Sequence, residues 1–244
     1  EQKLSDIAGG FNGTLANSDQ FGSSVMSIGD LDGNGYDDLV VGAIGVDDGS
    51  TDKGAIWVLF MNSSNTCSST QKIGSVDGGF GQGLTGNAYF GTSLVPLGDL
   101  NGDGINDMAV GAANYNNTGR VFTLFMNSNG TVSSVNIISP TQLDNHPHSG
   151  GYLGTGLTNM GDMNGDGITD LGVGAYLEKV GEYNAGAYYI CFLDAAGDIT
   201  DYERINNLHG NLTASLQYVD EFGRAGALLG DMNNDGHPEF ATGW

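Results

Sequence analysis

One segment occurs four times in this 244-residue sequence, with the same internal spacing in every copy. Each copy begins with Phe-Gly or Leu-Gly, continues into an acidic, glycine-rich loop and ends in a short apolar run. The loops begin at Asp30, Asp99, Asp162 and Asp231, and the step from the second to the third is shorter than the other two. The interval from the marker glycine to that aspartate is the same in all copies. This pattern predicts rigid repeat units joined by loops of variable length.

Each unit carries four short apolar runs, which in the first unit are residues 24–28, 39–43, 54–60 and 72–76. These runs are rich in Val, Ile, Phe and Tyr and lie between Gly, Asn and Ser clusters, which is typical of β-strands and turns. Four strands recurring in successive units predict an all-β fold, a β-propeller of four-stranded antiparallel blades. The repeat units are expected at about residues 1–70, 71–133, 134–201 and 202–244, within one propeller region.

This arithmetic gives about 3.7 blades, because the last unit stops after its second strand. A lone copy of a fourth strand is expected at Gln2–Ile7. We therefore expect that the chain is part of a larger propeller or is completed by another chain, since an unfinished sheet leaves open edges.

Oxygen-bearing side chains occupy positions 1, 3, 5 and 9 of every acidic loop. They are Asp30, Asp32, Asn34 and Asp38; Asp99, Asn101, Asp103 and Asp107; Asp162, Asn164, Asp166 and Asp170; and Asp231, Asn233, Asp235 and Glu239. Position 6 is always glycine, which tolerates the left-handed backbone of a tight loop. The backbone carbonyls of position 7 are expected to join the ligands, from Tyr36, Ile105, Ile168 and His237.

Hard oxygen donors without His or Cys select Ca²⁺, so we predict up to four calcium ions, one per repeat. An EF-hand would need a bidentate Glu at position 12, where this chain has Val41, Val110, Val173 and Thr242. The plainer alternative is that Asp-Gly and Asn-Gly pairs only form hairpin turns. Four copies in one register favour metal binding.

The composition restricts the classes of partner. The chain has 29 acidic and 7 basic residues and a formal charge of −22, which excludes nucleic acid and disfavours acidic membrane surfaces. It has no apolar run long enough for membrane insertion. Five glycosylation sequons point to a secreted or cell-surface glycoprotein. They begin at Asn12, Asn62, Asn116, Asn129 and Asn211.

No constellation of a nucleophile and a base stands out. Cys67 and Cys191 align with apolar strand positions of other repeats, so both thiols are expected to be buried and inert. Carboxylates that bind calcium stay ionised and are poor proton donors. We therefore predict that the chain is not an enzyme.

The combined motifs resemble the FG-GAP repeat of integrin α-subunit β-propellers. Phe-Gly stands at residues 21, 90 and 222, Gly-Ala stands at residues 42, 111 and 174, and the acidic loop lies between them. Two copies depart from the pattern, with Leu153 in place of Phe and Trp244 in place of Ala. The resemblance implies an extracellular, calcium-stabilised propeller that displays loops for binding.

These observations lead to one functional expectation with two alternatives. The expectation is an extracellular adhesion or binding module whose ligand is a protein or a glycan and whose calcium ions are structural. The first alternative is a self-assembling subunit of an extracellular filament or coat. The second is an accessory propeller domain of a larger secreted enzyme.

Overall fold

The computed structural model describes residues 3–5, 7–143, 151–180, 183–213, 215–218, 220–236 and 238–243. Within this part of the chain the regular structure is almost entirely β, and every strand pairs antiparallel with its neighbours. The all-β fold of antiparallel blades predicted from the repeats is confirmed.

Three sheets have four strands and a fourth has two. The first sheet, in the order β1-β2-β3-β4, comprises Phe21–Gly29, Asp38–Ala43, Ala55–Met61 and Cys67–Ile73. The second, β5-β6-β7-β8, comprises Phe90–Gly98, Asp107–Ala112, Arg120–Met126 and Val132–Ile138. The third, β9-β10-β13-β14, comprises Leu153–Gly161, Asp170–Ala175, Ala187–Leu193 and Ile199–Ile205. The fourth pairs β15 with β16, Ala225–Gly230 with Glu239–Gly243. Together they form a partial propeller whose sheets do not close into a ring.

The remaining elements are short and lie in connections. They are a 3₁₀ turn at Tyr115–Asn117, a helical turn α1 at Pro140–Leu143 and a small ladder of β11 and β12, Lys179–Val180 with Tyr183–Asn184.

The lone strand expected at Gln2–Ile7 is not formed by the described residues there. Ser5 and Ala8 instead close a tight turn, with the Ser5 N–H 3.0 Å from the Ala8 carbonyl oxygen. Asn206 and His209 form the same bridge just after the last strand of the third sheet. The N-terminal segment therefore corresponds to the turn that follows a fourth strand. Gln2 and Asp6 lie outside the described residues.

The hydrophobic core lies between successive sheets. One cluster joins the first and second sheets and includes Val58 and Phe122, both almost fully buried. Another joins the second and third sheets and includes Phe125 and Tyr189. Both thiols are buried, as predicted, and burial raises the pKa of Cys67 and of Cys191. The apolar runs read from the sequence thus form the faces along which blades pack.

A glycine-to-glycine contact sets the distance between blades. The glycine of each Phe-Gly or Leu-Gly pair presses its carbonyl oxygen against the glycine of the preceding Gly-Ala pair. The pairs are Gly91 on Gly42, Gly154 on Gly111 and Gly223 on Gly174, and a Cβ on the second member of each would overlap that oxygen. The hydroxyls of Ser24 and Ser93 donate to the same oxygens of Gly91 and Gly154, at 2.6 and 2.7 Å. The two halves of the motif therefore meet across the blade interface.

A recurring apolar residue in the connections covers each blade from one end. It lies at a constant interval before the Phe or Leu of each marker pair, at Phe11, Phe80, Leu143 and Leu212. The Phe80 ring packs 4.8 Å from Phe90 and 5.2 Å from Phe122, measured between ring centroids. The Phe11 ring lies 5.1 Å from that of Trp57. Each connection is thereby anchored to the blade that follows it.

The interface glycines make a prediction with an internal control. Gly111→Ala would place a methyl group where it overlaps the Gly154 carbonyl oxygen. Because both residues lie in packed backbone that cannot easily move apart, we expect the free energy of unfolding to fall by about 2 kcal/mol. Gly243 occupies the same repeat position in the fourth unit, where a Cβ would meet no described atom within 4 Å. Gly243→Ala should change the value by less than about 0.5 kcal/mol. Urea denaturation of both variants measures the difference, and equal losses would contradict the proposed role of this contact.

Candidate metal-binding loops

The four acidic loops connect the first and second strands of the four sheets, so all lie at the same end of the blades. The carboxylate at position 1 organises each loop. In the second loop Asp99 accepts N–H bonds from Asp103 at 2.9 Å and from Gly104 at 2.8 Å. Asp30, Asp162 and Asp231 make the equivalent two bonds in the other loops. Gly104 has a φ of +91°, which confirms the need for glycine at position 6.

The side chains at positions 3 and 5 continue this inward folding. Asn101 accepts the Asp103 N–H at 2.9 Å, and Asp103 accepts the Ile105 N–H at 2.8 Å. The third loop repeats both bonds at 2.9 and 2.8 Å, through Asn164 and Asp166. Alternate side chains therefore turn toward the inside of the loop, as the spacing predicts.

Backbone donors also affect ionisation at position 1. The Gly167 N–H lowers the pKa of Asp162, and the Gly236 N–H lowers that of Asp231. Both carboxylates are exposed to solvent and are held in the ionised form that a metal ion requires.

The carboxylate at position 9 has a role that the sequence did not reveal. Asp107 is fully buried, and its two oxygens accept N–H bonds from Leu100 in the loop at 3.0 Å and from Met126 at the end of β7 at 2.9 Å. Asp38 and Asp170 are also fully buried and make the same pair of bonds. This aspartate ties the loop to the third strand of its own blade, in addition to facing the loop.

Burial raises the pKa of all three of these aspartates, and that of Asp107 rises to about 6. The neighbouring carboxylates of Asp103 and Asp99 add to the rise at Asp107. Bringing such a group into the interior in its charged form is costly unless an opposite charge is nearby. A divalent cation in the loop would supply that charge.

The fourth loop keeps the arrangement in a more open form. Glu239 is half-buried and accepts the Met232 N–H at 2.6 Å and the Asn233 side-chain N–H at 2.6 Å. Met232 is 68% exposed, whereas Leu31 at the same repeat position is 2% exposed. The longer Glu side chain thus reaches the same backbone donor from a less buried strand.

In two of the four loops, three carboxylates bring oxygen atoms close enough to share one cation. Oxygens of Asp30, Asp32 and Asp38 lie within 4.8 Å of one another, and the same holds for Asp231, Asp235 and Glu239. Two oxygens that bind one Ca²⁺ at about 2.3 to 2.6 Å can be at most about 5 Å apart. Within the described part of the chain, the first and fourth loops meet this distance condition with three carboxylates each. The residues of these two loops therefore fit a hard divalent cation, whereas the described carboxylates of the second and third loops have the same chemistry but are not all within this distance.

The residues at position 7 differ in exposure. Tyr36 is 44% exposed and lines an open hollow beside the first loop with Met61 and Asn62, whereas Ile105 and Ile168 are half-buried. His237, the position-7 residue of the fourth loop, lies outside the described residues.

Four of the five sequon asparagines are exposed, namely Asn12, Asn116, Asn129 and Asn211. Asn62 is half-buried in the β3–β4 turn, where its side-chain oxygen accepts the Ser64 N–H and its amide donates to the Thr66 hydroxyl, each at 2.9 Å. These sequons therefore differ in how freely the asparagine amide is presented.

Most of the cationic side chains lie at the end opposite the acidic loops. Six of the seven basic residues are in or beside the connections at that end: Lys53, Lys72, Arg120, Lys179, Arg204 and Arg224. Arg120 lies 4.2 Å above the Tyr115 ring and Arg224 lies 4.9 Å above the Tyr176 ring. Carboxylates lie at this end too, and three of these cations form ion pairs with them: Lys72 with Asp48 and Asp77, Arg204 with Glu178, and Arg224 with Glu221. The two ends therefore differ in their cations and arginine–tyrosine pairs, while both carry carboxylates.

Comparison with known proteins agrees with this architecture. The FG-GAP repeat family matches residues 21–59 and 90–124, which cover the first two loops and the strands around them. These two segments are therefore FG-GAP repeats, they lie in the first two blades of the partial β-propeller, and the predicted resemblance is confirmed.

The particular proteins that it resembles are integrin α subunits. It is 36% identical to integrin alpha-PS5 of Drosophila melanogaster over 158 residues, or 64% of this chain and 15% of that protein. It is 30% identical to integrin alpha-2 of Mus musculus over 236 residues, or 91% of this chain and 19% of that protein. It is 28% identical to integrin alpha-3 of Cricetulus griseus over 194 residues, or 78% of this chain and 16% of that protein. The chain thus spans less than a fifth of the length of these relatives. In the described residues, no helix is long and apolar enough to cross a membrane.

Mutation can distinguish the structural role of the buried aspartate from the role of the exposed loop carboxylates. Asp107→Ala leaves the Leu100 and Met126 N–H groups without their acceptor, so we expect the free energy of unfolding in excess chelator to fall by about 3 kcal/mol. Asp103→Ala removes an exposed carboxylate of the same loop and should cost less than about 1 kcal/mol under the same conditions. Chemical denaturation in chelator compares the two, and a cost for Asp107→Ala no greater than that for Asp103→Ala would show that the aspartate does not act as a structural tie.

Proposed function

We propose that this chain is an FG-GAP propeller region of an extracellular adhesion-type protein and that each of its acidic loops binds one calcium ion. The observation that carries the proposal is the convergence of carboxylate oxygens in the first and fourth loops, where backbone N–H groups already hold the first aspartate in place. The proposed region covers residues 1–244, with repeat units at about 1–70, 71–133, 134–201 and 202–244.

The proposed ligands are the side chains at positions 1, 3, 5 and 9 and the backbone carbonyl at position 7 of each loop. Calcium is favoured over zinc because all donors are oxygen, and over magnesium because a ligand set drawn entirely from the protein suits a larger, less strictly octahedral ion. The ions are structural in this proposal. They neutralise carboxylates that otherwise repel each other beside a buried aspartate.

The binding role is assigned to the end opposite the calcium loops. The connections there differ in length and carry the arginine–tyrosine pairs, whereas the metal loops are nearly identical to one another. Loops that vary on a constant scaffold are where proteins place recognition. We propose that this end contacts a protein or glycan ligand, and we assign no catalytic role to the chain.

Carbohydrate is proposed at the sequon asparagines. Asn12, Asn116, Asn129 and Asn211 are exposed, and Asn62 is held by its own turn. An extracellular location, which the integrin resemblance supports, is a condition for this modification.

Calcium should stabilise the fold in proportion to the number of ions bound. Each site is expected to add about 2.7 kcal/mol to the free energy of unfolding at a calcium concentration 100 times its Kd. Calorimetric titration should count up to four ions, and Asp103→Ala should remove one. Asp37→Ala serves as the matched control, because Asp37 is an exposed loop carboxylate outside the ligand positions and its removal should leave the count unchanged. Identical unfolding curves in calcium and in chelator would falsify the calcium assignment.

Ligand binding should depend on the end that carries the arginine–tyrosine pairs. An array of extracellular-matrix proteins and glycans, probed with the labelled chain in calcium, is expected to give signals that Arg120→Ala and Arg224→Ala reduce at least fivefold. Ser128→Ala alters an exposed side chain at the metal-loop end and should leave them unchanged. Signals that respond only to Ser128→Ala would place recognition at the wrong end for this proposal.

A further inference from the structure

The calcium loops of neighbouring blades are joined by a side-chain hydrogen bond. Asn106 occupies position 8 of the second loop, and its side-chain N–H donates to the backbone carbonyl of Ile28 in the first blade at 2.8 Å. Ile28 lies two residues before Asp30, the first carboxylate of the first loop. Gly29 lies between them with a φ of +81°, and a Cβ there would be 2.7 Å from the Asn106 amide nitrogen. The backbone that leads into the first loop is therefore in direct contact with Asn106, near the end of the second loop.

The position of Asn106 is itself fixed by the second loop. The next residue is Asp107, whose two oxygens hold the backbone of Leu100 and Met126. Any ordering of the second loop around its ion is thus transmitted to the residue that holds Ile28. Conversely, a shift of the first loop at Gly29 would strain or break the bond to Asn106.

The other blade junctions provide a comparison within the molecule. At the second junction Asn159 donates to the carbonyl of Pro96 at 2.8 Å, and its oxygen accepts the Gly161 N–H at 2.8 Å. The fourth repeat has Leu228 at the position of Asn159 and Pro238 at the position of Asn106. Neither of those side chains can donate a hydrogen bond. Amide bonds therefore link the first three blades beside their loops, and the fourth repeat has no amide side chain at either position.

We propose that Asn106 is a positioning residue that couples calcium binding at the first loop to calcium binding at the second. This inference rests on the proposed function, because it requires both loops to bind ions. An ion in the second loop orders the chain around Asn106 and so orders the entry of the first loop, which then loses less conformational freedom when it binds its own ion. Linkage requires that each ion raise the affinity of the other loop by the same factor.

The sequence provides a reporter for the first loop alone. Tyr36 is the only tyrosine at position 7 of the four loops, and it is 44% exposed beside the first loop. Terbium(III) replaces calcium at oxygen sites and emits when a nearby tyrosine is excited, so emission excited through tyrosine should follow occupancy of the first loop. Tyr36→Phe should abolish this emission, which establishes its source.

The experiment titrates the full chain with terbium(III) and measures the apparent affinity of the first loop. Disabling the second loop with Asp103→Ala is expected to weaken that affinity about fivefold. Asn106→Ala should weaken it about as much, and adding Asp103→Ala to Asn106→Ala should have no further effect. Asp166→Ala, which disables the non-adjacent third loop, should change it less than twofold.

A second control separates coupling from general stability. Asn136 also joins two blades through its amide, to the Gly197 carbonyl and the Asp198 carboxylate, but at a distance from the first two loops along the sequence and the sheets. Asn136→Ala should lower the melting temperature and leave terbium affinity at the first loop unchanged. The Asp103→Ala arm needs no change at Asn106 and so remains decisive if Asn106→Ala fails to fold.

The outcomes distinguish the two proposals. If the apparent terbium affinity of the first loop is the same with and without Asp103→Ala, the coupling is overturned and the calcium assignment is left intact. No tyrosine-excited emission from the folded chain at any terbium concentration overturns the calcium assignment and, with it, the coupling. A fivefold loss with Asp103→Ala that disappears in the Asn106→Ala background supports the role of Asn106.

Discussion

A buried carboxylate with two backbone donors is the constraint on which each complete blade depends. Asp107 lies at the first residue of β6, fully out of solvent, and connects the loop before it to the end of β7. A charge in that position is tolerated because both oxygens accept N–H bonds, which are stronger when the acceptor is ionised. The same group faces the other loop carboxylates, so strand packing and ion binding draw on one side chain. Loss of the ion would therefore destabilise the sheet as well as the loop.

Calcium binding would change the charge at one end of the blades only. The four loops hold 13 of the 29 acidic residues, and six of the seven cations lie at the other end beside carboxylates such as Asp48 and Glu221. Four calcium ions would change the formal charge from −22 to about −14, and all of that change would fall at one end. Since interactions between exposed charges fade beyond about 8 to 10 Å in physiological salt, the far end would keep nearly the same potential with or without calcium.

The repeat pattern was sufficient to predict the blades, because runs such as Ala55–Met61 became strands with the expected neighbours. It was less exact for the fourth strand of the first blade, which was expected at 72–76 and spans Cys67–Ile73. It also placed the loop carboxylates together. It could not show that Met126, 19 residues beyond Asp107, supplies a donor to it, since strand pairing brings them together and no local spacing does. The recurring apolar residue to which Phe80 belongs was detectable in the aligned repeats, because it lies at a constant interval before each marker pair. Only the structure shows that it packs on the blade that follows. Asn106 carries no sequence signal, because its partner is a backbone carbonyl.

The contact between Gly111 and Gly154 has a consequence for how such an array can grow. Backbone atoms make the closest approach, so this contact requires only the two glycines, while the apolar core between the sheets requires only that its side chains fill the same space. A duplicated unit would find a compatible neighbour on either side at once, and its connections could then lengthen or change without disturbing the fit. Units that differ in the length of their connections, such as the second and the third, can stand side by side for this reason. The architecture is thus open to gene duplication followed by divergence of the exposed turns.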